Sequence, residues 1–252
     1  SCAKTMSAVS KVKVPLTTIP RFQKEAAEIA LQMSQFSVDE LERLLRVNAK
    51  IAVENYKRYQ AFHAETTPEL PALLAYTGIV FKRLNPKDFS AEDFGYAQEH
   101  LRLTSFCYGL LRPLDVIRAY RLEGDVVLPE LGNQTLFSYW RSRLTDTFIE
   151  DIRSAGGILC NLASDEMKSL FDWKRVESEV RVVTPEFHVW KNGKLATIVV
   201  YTKMSRGEMT RFILKNKIGN PEELKGFSWE GFEFDESLSD ERKLVFINGM
   251  GE

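Results

Sequence analysis

Apolar residues recur at helical spacing through the first quarter of the chain. Between residues 21 and 35 they fall at intervals of three or four positions, which predicts an amphipathic helix. Ser37 and Glu40 form a capping-box pattern that begins a second helix, and a third is predicted over residues 48–62. Residues 1–24 contain two prolines and no helical spacing, so we expect an extended arm there.

A turn between two short helices is predicted in the middle of the chain. Ser90 is followed by acidic residues, which is typical of the start of a helix, and this one would run to about residue 103. Gly109 marks a tight turn, and Pro113 stands where a further short helix would begin. We therefore expect a helix–turn–helix arrangement over roughly residues 90–117.

Strand patterns dominate the second half of the chain. After Gly156-Gly157, residues 158–163 form an apolar run typical of a buried strand. Residues 179–190 and 194–201 alternate in the β manner around Asn192-Gly193, which predicts a β-hairpin. The remaining predicted elements are helices over 136–153 and 204–217 and short strands over 232–234 and 243–247.

This order of elements predicts a mixed α/β (α+β) fold in which one mixed sheet is surrounded by helices. The chain has 252 residues, 44% hydrophobic and 27% charged, and is expected to form a single domain over residues 1–252. Its longest apolar stretches are strand-sized, which argues against a membrane partner. Cys2, Cys107 and Cys160 form no CxxC pair and no signal peptide is seen, so we expect a reduced, cytoplasmic, monomeric protein.

The formal net charge of -1 conceals a segregated distribution. Residues 1–24 carry five cations and no acid, and residues 203–217 carry five cations and one acid. Residues 218–252 carry nine acids and three bases. The near-neutral net charge excludes a uniformly basic protein surface. It permits a local basic surface for nucleic acid if the basic segments meet in the fold.

Two segments near the predicted turn could bind an anion. Arg102 and Arg112 flank the turn and would lie near the free N–H groups of the helix that begins at Pro113. The alternative is a structural hairpin in which Arg112 pairs with Asp115. The segment Tyr120-Arg121-Leu-Glu123 adds a second Arg–acid pair, which is equally consistent with a plain salt bridge.

Two further segments follow predicted strands. In Asn161-Leu-Ala-Ser-Asp-Glu166, Ser164 and Glu166 are either catalytic groups or the cap of the next turn. In the segment 203–211, Arg206 and Gly207 stand near a predicted helix start. They form either an anion-binding site or part of a solvent-exposed basic face of that helix. The dinucleotide, P-loop, hydrolase-elbow and zincin motifs are absent, and the histidines are isolated, so no cofactor or metal is predicted.

Motifs along nearly the whole chain resemble those of the YaaA, or UPF0246, peroxide-stress family. The opening Ser-Cys-Ala-Lys-Thr resembles the family's S-P-A-K-T. The other motifs that carry the resemblance are Ala75-Tyr-Thr-Gly78, His100-Leu-Arg102, Tyr108-Gly-Leu-Leu-Arg-Pro-Leu-Asp115, Tyr120-Arg-Leu-Glu123, Asn161-Leu-Ala-Ser-Asp-Glu166 and Arg206-Gly-Glu-Met-Thr-Arg-Phe212.

The resemblance implies a cytosolic bacterial protein that limits damage by hydrogen peroxide, in part by lowering free iron. It also implies a helix-hairpin-helix element, here about residues 90–117, and a positive cleft that binds double-stranded or structured DNA. The cleft residues carried over by motif are Lys4, Arg102, Tyr108, Gly109, Arg112, Arg121, Lys203, Arg206, Gly207 and Arg211.

The sequence departs from the family pattern in several respects, including Arg83 in place of a later glycine and a shortened stretch after Glu166. Ile79 replaces the acid that follows the A-Y-x-G glycine, and the strand expected before the Lys4 motif is missing from the N-terminus. The alternative function is an enzyme acting on a nucleotide or nucleic acid in the same cleft, with Glu123, Ser164 or Glu166 as the catalytic groups. A DNA-binding protein without turnover remains the first interpretation.

Overall fold

The computed structural model describes residues 4–191 and 193–249. Within these residues, no helix is both long enough and apolar enough to cross a membrane. The α-helices are α1 Gln23–Met33, α2 Val38–Leu45, α3 Ala49–Ala61, α4 Ala72–Ala75, α5 Ile79–Leu84, α6 Ala91–His100, α7 Leu136–Ser154, α8 Asp165–Lys168, α9 Trp173–Glu179 and α10 Val199–Asn216.

The main sheet is mixed, as the element order predicted. Its strands lie in the order β10–β11–β8–β7, with β9 also paired to β8. Strand β8 runs parallel to β7 and β11 and antiparallel to β9. The strands are β1 Glu69–Pro71, β2 Leu103–Ser105, β3 Gly109–Leu111, β4 Val116–Arg118, β5 Val127–Leu128, β6 Gln134–Thr135, β7 Ile158–Cys160, β8 Arg181–Lys191, β9 Lys194–Ala196, β10 Phe232–Asp235 and β11 Lys243–Asn248.

Two hydrophobic cores hold these elements together. The larger one packs the first helices around side chains such as Tyr59 and Trp140, and the smaller one packs the main sheet around Phe187 and Phe246. Helix α10 contributes to both, because Leu214 lies in the larger core and Met209 in the smaller. A cavity of about 290 Å³ lies between the cores, beside β7.

Five helices, α1, α2, α3, α6 and α7, begin close to where the local sequence predicted. Ser37 and Glu40 form a capping box at the start of α2, and Ser90 forms another with Asp93 at the start of α6. The β8–β9 hairpin is also present, although Asn192 of its predicted turn lies outside the described residues, as does Cys2. Helix α10 begins at Val199, so the second strand of that hairpin is shorter than expected.

The predicted second helix of the 90–117 segment was wrong. After α6 the chain forms the antiparallel hairpin β2–β3 and then β4. Every residue of β2 and β3 is buried, and the turn is closed by the Ser105 hydroxyl, which accepts the N–H groups of Cys107 and Tyr108. Burial on both faces produces a continuous apolar run, which local spacing does not distinguish from a helix.

The N-terminal arm is extended, as predicted. It forms an antiparallel bridge between Met6 and Tyr76 and a parallel bridge between Thr18 and Asp115. Backbone hydrogen bonds at both places fix the arm to the body of the protein: Ser7 N donates to Ala75 O, and Thr18 N donates to Leu114 O. The arm therefore connects the α4–α5 junction to the loop before β4.

Candidate nucleic-acid interface

Lys4, Arg121 and Glu123 form a compact charged group at the start of the arm. Lys4 Nζ lies 2.9 Å from Glu123 Oε2, and Arg121 Nη2 lies 3.6 Å from Glu123 Oε1. The Glu123 carboxylate is buried, whereas 60% of the Lys4 side chain is exposed. Two cations thus share one carboxylate, which leaves the group with a net positive charge that faces solvent through Lys4.

A buried hydroxyl network supports this group from below. The Tyr120 hydroxyl lies 2.6 Å from Ser105 Oγ and 2.8 Å from the Tyr76 hydroxyl. The Tyr59 hydroxyl donates to the Arg121 carbonyl oxygen at 2.6 Å, and burial raises the pKa of Tyr59 well above its usual value. These contacts hold residues 120–123 in place because buried hydroxyls lose much free energy when left unpaired.

Arg102 and Arg21 meet at a second charged group. Arg102 Nε lies 2.6 Å from Asp151, and Arg21 Nη2 lies 3.1 Å from the same carboxylate. Arg102 Nη1 also donates to the carbonyl oxygens of Gln98 and Glu99 in the last turn of α6. Arg102 therefore caps a helix and pairs with an acid, and Arg21, with 48% of its side chain exposed, supplies the solvent-facing charge.

The pairing of Arg112 with Asp115, which the sequence left open, is present. Arg112 Nη2 lies 3.1 Å from Asp115, which is 1% exposed. Asp115 also accepts from the Thr18 hydroxyl at 2.6 Å, and Gln98 Nε2 donates to that hydroxyl at 3.0 Å. Gln98 also accepts from Arg102 through its carbonyl oxygen, so hydrogen bonds through Gln98, Thr18 and Asp115 connect Arg102 to Arg112.

Tyr108 and Gly109 lie in the core and are not surface contacts. Tyr108 is 1% exposed, and its hydroxyl accepts the backbone N–H of Arg118 at 3.0 Å. Gly109 has a φ of +68°, and a Cβ built there would lie 2.7 Å from the ring of Trp140. Glycine is needed at position 109 because the backbone of the buried β2–β3 turn approaches the indole ring closely. The predicted contact of Tyr108 and Gly109 with phosphate was therefore wrong.

Helix α10 also differs from the expected basic face. Gly207 packs against α5, because a Cβ there would lie 2.3 Å from the carbonyl oxygen of Val80. Helix packing, and not anion binding, therefore requires a glycine at position 207. Arg211 pairs with Asp88 and donates to the Asn85 carbonyl oxygen, so its charge is compensated.

Lys215 and Lys217 both contact Asp93 at the start of α6, at 2.9 and 2.5 Å. Burial acts to raise the pKa of Asp93, but hydrogen bonds from Lys217 and Lys215 outweigh it and hold that pKa well below its usual range. Lys203 is exposed, and Arg206 is half-buried; neither forms a salt bridge within the described residues. The net basic charge of α10 is thus concentrated at its first turns.

The candidate catalytic residues fall into two places. Glu123 lies with Lys4 and Arg121, whereas Ser164 and Glu166 lie at the start of α8, just after β7. Ser164 occupies the N-cap position, but its side chain makes no capping hydrogen bond. No salt bridge or side-chain hydrogen bond of the described residues joins the two places.

The described residues contain no group of three His, Cys, Asp or Glu side chains that could hold a metal ion. Burial raises the pKa of the Cys160 thiol to about 12 and that of the Cys107 thiol further. A thiol with a raised pKa carries little thiolate at neutral pH and reacts slowly with peroxide.

Several residues that organise the site could not be predicted from the sequence. Asp151, Thr18 and Gln98 bring Arg21, Arg102 and Arg112 together, yet they come from α7, the arm and α6. No local pattern marks them, because each acts through contacts with segments far along the chain. Only the Asp115 pairing carried a sequence signal, its three-residue spacing from Arg112.

The fold and the charged groups together define a mixed α/β protein with exposed cations along an N-terminal arm. A family profile described as "Peroxide stress protein YaaA" matches residues 1–238. The chain belongs to this family, and membership supports a role in peroxide stress.

Named relatives agree with this assignment. A UPF0246 protein of Bacteroides thetaiotaomicron is 99% identical over 252 residues, covering 100% of this chain and 98% of the relative. A UPF0246 protein of Bacteroides fragilis is 78% identical over the same length, with the same coverage. A UPF0246 protein of Crocosphaera subtropica is 38% identical over 248 residues, covering 98% of each chain.

Proposed function

We propose that the protein acts in peroxide stress by binding the phosphate backbone of DNA. The binding surface, called here the basic arm surface, comprises the arm and the arginines at its two ends. Its residues are Lys4, Lys11, Lys13, Arg21, Lys24, Arg102, Arg112 and Arg121.

One observation carries this proposal: the arm is exposed, extended and free of acids, and it joins two groups of arginines. Its start contacts Arg121, whose Nη1 donates to the Lys4 carbonyl oxygen at 3.4 Å. Its far end contacts Arg112 through Asp115, which Thr18 also binds. Five of the cations therefore lie on one stretch of backbone, residues 4–24, and the three other arginines lie at its two ends.

The charge of this surface is only partly compensated. Its eight cations contact three carboxylates, those of Glu123, Asp151 and Asp115. Lys11, Lys13 and Lys24 are exposed and form no salt bridge within the described residues. Exposed lysines on an extended backbone suit sequence-independent contact with phosphate, which releases counterions and weakens as salt rises.

Fluorescence anisotropy with a labelled 20-base-pair duplex tests the proposal. The wild type should bind at low salt, and its affinity should fall steeply as salt rises. The double variant Lys11→Gln/Lys13→Gln should bind more weakly, with a slope of log K against log salt smaller by about 2, because each lost phosphate contact removes about 0.9. The matched control, Lys191→Gln/Lys194→Gln at the β8–β9 turn, makes the same charge change elsewhere.

Equal loss of affinity in the two double variants would show that only net charge matters, and the basic arm surface would be rejected. The same follows if wild-type affinity does not respond to salt. A lowering of free iron, which the family resemblance implies, is a separate expectation from this proposal.

The alternative function is an enzyme acting on a nucleotide or nucleic acid. Its support is the exposed Glu166 beside Ser164, whose hydroxyl is not used to cap α8. Incubation of labelled DNA and of nucleotides with the wild type and with Glu166→Gln tests it. Turnover that the variant loses while keeping its DNA affinity would favour the enzyme.

A further inference from the structure

Arg206 differs from Arg211, Lys215 and Lys217 because its guanidinium has no carboxylate partner among the described residues. Those three cations all contact carboxylates. The Arg206 side chain forms no salt bridge or hydrogen bond among the described residues, and its Nε atom is buried without a partner. Burial lowers the pKa of Arg206, although the guanidinium stays charged at neutral pH.

The position of Arg206 is fixed by helix packing. Ser205, just before it, is fully buried, and Gly207, just after it, is pressed against α5. A rotation of α10 that would carry Arg206 into solvent would drive Gly207 out of its contact with Val80. The protein therefore holds a half-buried cation in place without a carboxylate partner, which costs free energy unless an anion compensates it.

Asp165 is the nearest charge of opposite sign, and it does not neutralise Arg206. Its carboxylate pairs with Lys168 at 2.8 Å, and 89% of its side chain is exposed. A hydrogen bond from Lys168 lowers the pKa of Asp165, and Arg206 contributes only a weaker attraction at longer range. Ser164, next to Asp165, has a hydroxyl that makes no capping bond.

Lys203 adds a second uncompensated charge. It lies three residues before Arg206 on the same helix, so the two side chains are neighbours on the helix surface. Two neighbouring cations suit a ligand with two negative charges and several acceptor oxygens. A carboxylate carries one charge, whereas a phosphate monoester carries close to two at neutral pH.

We propose that Arg206, with Lys203, binds the phosphate group of a phosphate monoester. The guanidinium would donate to two phosphate oxygens, and Lys203 would balance the second charge. This site shares no residue with the basic arm surface, so the two can be tested independently.

Thermal unfolding and isothermal titration with inorganic phosphate and with adenosine monophosphate test the proposal. Sodium chloride at matched ionic strength controls for general salt effects. The wild type should show a saturable rise in Tm with each phosphate compound and not with chloride. Arg206→Gln should weaken the apparent affinity by about tenfold or more, the usual effect of losing hydrogen bonds to a charged group.

Arg181→Gln removes an exposed arginine on β8 and should keep the wild-type affinity. Arg206→Lys keeps the charge and the long side chain, so it covers the case in which Arg206→Gln fails to fold. This variant should also bind more weakly, because an ammonium cannot form the two parallel hydrogen bonds.

A wild type that does not respond to phosphate would overturn the proposal, as would an Arg206→Lys variant that binds phosphate as well as the wild type does. Loss of phosphate binding in Lys11→Gln/Lys13→Gln would instead place the phosphate on the basic arm surface and would also reject the site. An Arg206→Lys variant that loses phosphate binding but keeps DNA binding would show that the phosphate site and the basic arm surface act separately.

Discussion

The exposed ammonium of Lys4 lies 2.9 Å from the buried carboxylate of Glu123. This contact closes the start of the arm onto the segment before α7. Because Arg121 reaches the same carboxylate, Glu123 holds together two of the cations on which the basic arm surface depends.

Replacing Glu123 with Gln should destabilise the protein and strengthen its binding to DNA. The buried carboxylate would no longer compensate Arg121, which should lower the free energy of unfolding by about 2 kcal/mol. The surface would gain one net positive charge. Urea unfolding and anisotropy measure the two effects, and Glu130→Gln at an exposed position is the control. A loss of DNA affinity in folded Glu123→Gln would contradict this interpretation.

Gly207→Ala should destabilise the packing of α10 on α5. The added methyl would lie 2.3 Å from the Val80 carbonyl oxygen, a backbone atom that cannot move aside by a side-chain rotation. We expect a loss of about 2 kcal/mol in the free energy of unfolding. Gly95→Ala in α6 is the matched control, because nothing lies within 4 Å of its Cβ position.

The control should gain about 0.5 kcal/mol, since alanine has the higher helix propensity. Equal effects of the two substitutions would show that the close contact between α5 and α10 contributes nothing.

Asp93 should make stability depend on pH in the acid range. Its folded-state pKa is lowered, so it contributes stability that is fully present above its unfolded pKa of about 3.9 and is lost as pH falls through the folded value. The gap in unfolding free energy between wild type and Asp93→Asn should be constant above about pH 5 and should shrink below about pH 4.

Urea unfolding from pH 7 to pH 2 measures this gap, with Glu99→Gln at an exposed position as the control. A gap that stays constant down to pH 2 would mean that Lys215 and Lys217 do not hold Asp93 ionised.

The sequence by itself determined the elements that local chemistry specifies. The capping residues Ser37 and Ser90 located two helix starts, and alternation around Gly193 located the β8–β9 hairpin. Each of these depends on groups only a few residues apart, so it can be recognised without knowledge of the fold. The charge segregation and the family motifs were visible for the same reason.

Only the tertiary structure decided which predicted cations reach solvent and which are used internally. Gly109 and Gly207 pack against Trp140 and α5, Tyr108 lies in the core, and Arg211 contacts Asp88 from a distant segment. Burial and ion pairing depend on which segments meet in space, and this is set by the sum of many weak contacts over the whole chain. That is also why the unpartnered guanidinium of Arg206 became apparent only in the folded protein.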